Sequence, residues 1–406
     1  MAGKLPPGLH PDTLAVRAAV ERSQYGENSE ALYLTSGYVQ PSAEASARRF
    51  AGEEDGYTYG RTSNPTVTSF EQRLAAMEGT EAAMATASGM AAVMLMCFSL
   101  LRAGDHVIYS QSMFGSTMKL IGSEFARFGV ESTAVPQTDV DAWRAAVRPG
   151  TRLLFAETPT NPLTEVCDIA ALADIAHKVG ALLCVDNCFA TPALQRPVEL
   201  GADIVMHSGT KFLDGQGRVM AGALCAPEAM VREKFLPVQK NAGMVLSPFN
   251  AWVVLKGLET LKIRLQAQSA ATLAIAQWLE QHPAVARVHY PGLPSHPQHA
   301  LAMRQMSGVG GAVLSFDVKA DNPQQARARA CHVLDSLQVL SLCTNLGDTK
   351  TLLAHPASTS HGKLAEAQRQ AAGIGQGLIR MAVGLEHADD IKADLLRGLD
   401  TLNTIS

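Results

Sequence analysis

The sequence is short of the features that would place it outside the cell or on another macromolecule. Its seven cysteines, Cys97, Cys167, Cys184, Cys188, Cys225, Cys331 and Cys343, are odd in number and contain no C-x-x-C pair. That argues against both a disulfide framework and a zinc site. The longest apolar run, residues 90–101, falls far short of the roughly 20 residues that span a bilayer. The opening MAGKLPPGLHPD has no apolar h-region, so no secretory signal is expected. A formal net charge of −4, with no block of like charge, supplies no basic field for nucleic acid. There is no long repeat and no low-complexity tract. These absences leave a cytoplasmic protein that works on small molecules.

What is present is a chain of 406 residues, 47% hydrophobic, long enough to bury a sizeable core and too long for one compact unit. From 104 to 225, short apolar runs alternate with helix-length amphipathic segments. Strands are expected at 82–87, 106–109, 152–156, 181–185, 204–206 and 221–225, with helices at 140–147 and 169–179. This alternation implies an α/β domain with a mostly parallel sheet, whose ligands bind beyond the carboxyl ends of the strands. A long helix over 249–281 is expected to carry the chain out of it. Beyond lie expected strands at 311–318, 337–342 and 378–383 and helices opening at 322 and 388, a smaller C-terminal α+β domain. The division is 1–60, 61–256 and 257–406. The first segment reads as an arm, because residues 23–54 are rich in Gly, Ser, Glu and Pro and must be tied down by something else.

The rest is organised around VDNCFATPALQRPVELGADIVMHSGTK, residues 185–211. Asp186 closes one apolar run, and a second breaks into His207, Ser208, Gly209, Thr210 and Lys211, so that acid and amine meet at one edge. Pyridoxal 5′-phosphate needs such a set: a lysine for its aldehyde, a carboxylate to keep its pyridine nitrogen protonated, and donors for its phosphate. Upstream, Ser88, Gly89 and Met90 form a tight turn between a strand and a helix, which presents N–H groups and a positive dipole end to an anion. Glu157 is a further polar strand end, and Asn161 follows in a proline-flanked turn. Arg380 is the only charge in GLIRMAVG, and a guanidinium in a buried strand requires an anionic partner. His355 and His361 lack the third ligand that a metal site would need.

Over nearly its whole length the chain resembles the Cys/Met-metabolism family of pyridoxal-phosphate enzymes, which includes γ-synthases, γ-lyases, β-lyases and homoserine-ester sulfhydrylases. The resemblance implies the fold-type I, aspartate-aminotransferase-like architecture. It implies that Lys211 bonds the cofactor, that Asp186 holds the ring nitrogen, and that Ser88, Gly89, Met90, Ser208 and Thr210 hold the phosphate. By the same resemblance Arg380 grips the substrate α-carboxylate, with Asn161 and Asn345 nearby, while Tyr59 and Arg61 reach the phosphate of a neighbouring subunit. It thus implies a homo-oligomer, a tetramer built as a dimer of dimers. Relatives often carry a stacking tyrosine where this chain has Phe114, which stacks equally well but has no hydroxyl. Phe114 and the stretch NLGDTKTL from Asn345 resemble the homoserine-ester sulfhydrylase branch. The implied reaction is γ-replacement, in which O-succinyl-L-homoserine and sulfide give L-homocysteine and succinate. Lys211 and Tyr59 would carry the protons. Cystathionine γ-synthase, O-acetylhomoserine sulfhydrylase and methionine γ-lyase chemistry are the alternatives.

Overall fold

A computed structural model describes residues 5–362 and 366–405. Seven strands form the larger sheet: β1 (Ala82–Thr86), β2 (His106–Ser110), β3 (Glu131–Val135), β4 (Thr151–Glu157), β5 (Leu182–Asp186), β6 (Ile204–Ser208) and β7 (Gly222–Ala226). Their order is β1-β7-β6-β5-β4-β2-β3, and only β7 runs antiparallel to its neighbours. The expected mostly parallel α/β sheet is thus observed.

Strands buried on both faces read as continuous apolar runs, because successive side chains point to opposite sides. In β4, Leu153 and Phe155 pack with Val93, Leu95 and Met96 of the helix Gly89–Leu100. Leu154 and Ala156 face the other way, against Ile169, Leu172 and Ala176 of the helix Ile169–Lys178. The alternation that makes these strands also fixes which side chains leave the sheet at its carboxyl edge. β3, sequence ESTAV, is a partly exposed edge strand without that apolar signature, and it was not expected from the sequence.

The second sheet has five strands, β8 (Val285–His289), β9 (Val313–Val318), β10 (Ser341–Leu342), β11 (Leu352–Ala354) and β12 (Leu378–Ala382), in the order β10-β11-β12-β9-β8. Leu314, Phe316, Ile379 and Met381 pack on one face with Val333, Leu395 and Ile275 of three helices. Ser315 and Arg380, paired in register, project from the opposite face, where Ser315 Oγ donates to the Pro162 carbonyl at 2.7 Å. Period-two geometry therefore aims Arg380 at the carboxyl edge of the larger sheet.

The helix expected over 249–281 is two helices, Pro248–Leu258 and Leu261–Gln281. The break falls at Thr260, whose backbone (φ −111°, ψ 4°) is not helical. Arg264 reaches back across it and donates to the Gly257 carbonyl at 2.8 Å, an acceptor it shares with the Thr260 N–H at 3.3 Å. The segment 23–54 holds one helix, Ala43–Ala51, that its composition did not suggest. It is tied down at Glu30, whose carboxylate pairs with buried Arg73 and with Lys256, while its carbonyl accepts from Trp252 Nε1 at 3.0 Å. No helix among the described residues is long and apolar enough to cross a membrane.

Candidate active site

Strands β4, β5 and β6 end side by side in Glu157, Asp186 and Ser208. In the parallel register Glu157 lies opposite Asp186, so two carboxyl groups leave the sheet together. Both are buried. Burial, with Asp186 as a like charge beside it, pushes Glu157 up to about 8. Burial also raises Asp186, against hydrogen bonds from Cys188 and the nearby His207, which favour its charged form. Two backbone donors fix Glu157: Phe114 N–H reaches Oε2 at 2.8 Å and Asn161 N–H reaches Oε1 at 2.9 Å.

Behind this edge lies a buried polar network. His207 Nε2 is 2.6 Å from Oε1 of Glu78, and Asn187 Nδ2 donates to the same oxygen at 3.0 Å. His207, Asn187 and Glu78 are each fully buried. They tie the ends of β5 and β6 to the helix Pro65–Glu78.

Lys211 follows β6 by three residues, in a turn closed by its N–H on the Ser208 carbonyl. Its Nζ donates to Asn345 Oδ1 at 2.6 Å. Burial lowers its pKa, and Arg380 lowers it further against the opposing effect of Cys188. The amine is therefore more readily available as a neutral nucleophile than an exposed lysine.

The anion-binding pieces meet at a glycine. Ser88 caps the helix Gly89–Leu100 through its hydroxyl, which accepts from Ala91 N–H at 3.2 Å. The N–H groups of Gly89 and Met90 begin that helix and have no intrahelical acceptor. A Cβ on Gly89 would lie 2.8 Å from Ser208 Cβ, so only glycine lets the helix start approach the end of β6. On the far side, a Cβ on Gly222 would meet the Ser88 carbonyl at 2.2 Å. Among the described residues no partner is found for the Ser208 hydroxyl. Thr210 differs, since its hydroxyl accepts from Ala221 N–H at 3.1 Å and donates to the Ala221 carbonyl at 3.3 Å.

Arg380 enters from the second sheet. It donates from Nη2 to the carbonyls of Asn345 at 2.8 Å and Thr344 at 3.3 Å, and from Nη1 to Asn161 Oδ1 at 3.3 Å. No carboxylate pairs with it among the described residues, and its Nε is buried without an acceptor. Burial alone brings its pKa down to about 10. His361, buried and facing Arg380, is depressed to about 4, by burial first and then by that charge. A buried, uncompensated guanidinium beside a neutral histidine is an arrangement that a ligand carboxylate completes.

The structure thus brings together Asp186, Ser208, Ser88 and Gly89 on one side and Lys211, Asn345, Arg380 and Asn161 on the other, with Phe114 joined to both through Glu157. Tyr59 and Arg61 lie apart. The Arg61 guanidinium is 5.4 Å from the Tyr59 ring centre and donates to the Lys240 carbonyl, and among the described residues no hydrogen bond or ion pair joins either to that set. Glu157 was legible as a strand-end acid, but its two backbone bonds carry no sequence signal. Cys188, whose Sγ accepts from Ser208 N–H at 2.7 Å, was passed over as one of seven cysteines.

Pyridoxal 5′-phosphate fits this donor set on structural grounds. Two adjacent buried carboxyls without a lysine or arginine partner among the described residues suit a cationic ring, the Gly89 cradle and Ser208 hydroxyl suit a phosphate, and a deprotonatable half-buried amine suits an aldehyde. Among the described residues no group of three or more His, Cys, Asp or Glu could hold a metal ion.

Comparisons with known proteins agree with this chemistry. A family model described as "Cys/Met metabolism PLP-dependent enzyme" matches residues 12–400. An O-succinylhomoserine sulfhydrylase of Pseudomonas aeruginosa is 56% identical, the match covering 96% of this chain and 95% of that protein. An L-methionine gamma-lyase of Porphyromonas gingivalis is 41% identical over 96% of this chain and 97% of its own length. A solved Campylobacter jejuni chain carrying N′-pyridoxyl-lysine-5′-monophosphate superposes with a TM-score of 0.91 at 32% identity, covering 97% of this chain and all of that one.

Proposed function

Since the chain belongs to the Cys/Met-metabolism family of pyridoxal-phosphate-dependent enzymes, we infer that it catalyses γ-replacement, converting O-succinyl-L-homoserine and sulfide to L-homocysteine and succinate. The observation that carries this reading is the buried guanidinium of Arg380, which lacks a carboxylate partner among the described residues and shares Asn345 with the Lys211 amine. It supports an amino-acid carboxylate bound one residue away from a nucleophilic amine.

When bound, pyridoxal 5′-phosphate supplies a protonated ring that takes up the electron pair left at the substrate Cα. Lys211 would hold its aldehyde carbon, and the lysine amine, once free, is the base for the substrate Cα proton. Asp186 would hold the ring nitrogen protonated, and Phe114 would stack on the ring. Gly89 and Met90 N–H groups, with Ser88, Ser208 and Thr210, hold the phosphate. Arg380 clamps the α-carboxylate between Asn161 and Asn345. The net replacement breaks the Cγ–O bond to release succinate and forms a Cγ–S bond to sulfide, and the protons taken from Cα and Cβ are returned there. Because Phe114 has no hydroxyl, Lys211 and Tyr59 carry that proton traffic.

We assign residues 1–60 to an arm on a neighbouring subunit, 61–256 to the cofactor-binding domain and 257–406 to the C-terminal domain. The larger sheet lies within the second segment and the smaller within the third, which supports the division. Tyr59 and Arg61 are assigned to the partner's phosphate site, in a homodimer paired into a tetramer, and the protein to the cytoplasm.

Elimination from methionine is the second reading, favoured by the 41% identical lyase. Steady-state assays decide between them. O-Succinylhomoserine with sulfide is expected to be turned over faster than O-acetylhomoserine with sulfide, succinylhomoserine with cysteine, or methionine alone. Methionine turnover without the first reaction would replace the assignment. Lys211→Ala is expected to abolish the visible absorbance of lysine-bound cofactor and its trapping by borohydride. A trapped lysine elsewhere would remove Lys211 from its role.

A further inference from the structure

Glu157 is a buried acid for which the chemistry above finds no use. Its setting is unfavourable on elementary grounds: 5% exposed, it lies opposite a second buried carboxyl, Asp186, and among the described residues no lysine or arginine is bonded to it.

Both of its oxygens are used by backbone donors, which favour the ionised form against the burial that raises its pKa. Oε2 accepts the Phe114 N–H and Oε1 accepts the Asn161 N–H, at the ends of two segments that are far apart in sequence. Phe114 precedes the short helix Gly115–Lys119 without any side-chain cap of its own. Asn161 in turn accepts from Arg380 through Oδ1 at 3.3 Å. A carboxylate is the side chain that accepts at both of its terminal atoms, whereas glutamine would turn an amide NH₂ toward one of the two N–H donors. The Glu157 main chain is held as well, since its carbonyl accepts from Gln137 Nε2 at 2.6 Å.

We propose that Glu157 is a positioning residue whose carboxylate sets the ring-covering Phe114 and the clamp-side Asn161 at fixed distances from Asp186, so that one side chain aligns the cofactor face with the substrate-carboxylate grip. The proposal rests on the pyridoxal-phosphate reading. It deepens that reading by naming a residue that touches neither ligand and acts on both.

The test uses the holoenzyme and the variants Glu157→Gln and Glu157→Asp. The wild type is loaded with pyridoxal 5′-phosphate first, and failure to form a borohydride-trappable lysine adduct there would overturn the cofactor reading itself. In loaded Glu157→Gln the adduct is expected to persist. Its visible-band circular dichroism, which reports the pose of the ring, should fall by about half, and the KM for substrate should rise about tenfold or more, the scale of one lost hydrogen bond to a charged group. Glu157→Asp keeps the carboxyl group but is one methylene short, and should lie between the two. Wild-type circular dichroism and KM in loaded Glu157→Gln would overturn the proposal. Should that variant not fold, Glu157→Asp is read by the same two measurements, and wild-type values there overturn it. Loss of folding in both variants also overturns it, by making Glu157 a residue of general stability.

Discussion

Lys211 Nζ donates to Asn345 Oδ1 at 2.6 Å, while the backbone carbonyl of the same asparagine accepts from Arg380 Nη2 at 2.8 Å. Asn345 thus lies between the amine of one sheet and the guanidinium of the other, and accepts from both as a neutral group. Its neutrality matters because the Lys211 pKa is already lowered by burial and by Arg380.

Asn345→Asp places a negative charge on that amine, which favours the ammonium form. The pH midpoint for capture of pyridoxal 5′-phosphate is expected to rise by about one unit, and the capture rate at pH 7 to fall about tenfold, because the free amine is the nucleophile. Absorbance growth recorded across a pH series measures both. An unmoved midpoint would separate Asn345 from the reactive amine.

Arg380→Lys replaces a planar fork by a point charge. Substrate KM should rise roughly 10- to 100-fold while cofactor absorbance stays unchanged, since the fork is assigned to the substrate alone. Equal KM values in steady-state kinetics would make the guanidinium structural.

The Glu157 and Asp186 pair gives the cofactor-free protein a pH signature. Both acids have folded-state pKa values raised above those of the unfolded chain, Glu157 to about 8. Between the unfolded and folded values the native state binds more protons than the unfolded state, so stability falls as pH rises. The melting temperature of the apoprotein is therefore expected to decline from about pH 5 to pH 8. Glu157→Gln should flatten that decline, and added pyridoxal 5′-phosphate, whose cationic ring favours the ionised acids, should oppose it. Differential scanning calorimetry across the range checks the slope, and an apoprotein equally stable at both ends contradicts it.

Arg61→Ala and Lys211→Ala test the shared site. Each is expected to be nearly inactive alone. Unfolded together and refolded in equal amounts, random pairing makes about half of the dimers mixed, each with one intact site of two, so roughly a quarter of wild-type activity should return. Activity no greater than the mean of the two variants would put Arg61 in the site of its own chain.

The sequence disclosed the residues whose position follows from local pattern. Asp186, Ser208 and Lys211 stand where apolar runs end, and a run buried on both faces ends at the sheet edge. Arg380 was conspicuous because it is charged in a run that is otherwise apolar. What stayed hidden depends on contacts between distant segments. Glu157 meets Phe114 only after β2 and β4 pair, although its contact with Asn161 is local, and the buried Glu78 and His207 come together from separate elements. β3 was illegible for another reason, since an edge strand exposed to solvent has little apolar alternation to display. The break at Thr260 was masked by continuous helical patterning, since no proline marks it and the nearby Gly257 lies inside the first helix.

Strand β1 has a single partner in the sheet, β7, with Ala82 opposite Ala226 and Thr86 opposite Gly222. During synthesis the Ser88 turn and the apolar helix behind it leave the ribosome well before the strand that closes over them. At about 5–20 residues per second, that interval lasts roughly 10 s. A nascent chain that ends between the helix Gly89–Leu100 and Gly222 holds the amino-terminal half of the proposed phosphate cradle without its wall. That pocket is therefore completed late in translation, in one long-range closure, and a truncated message leaves the apolar helix without the β7 side of its packing.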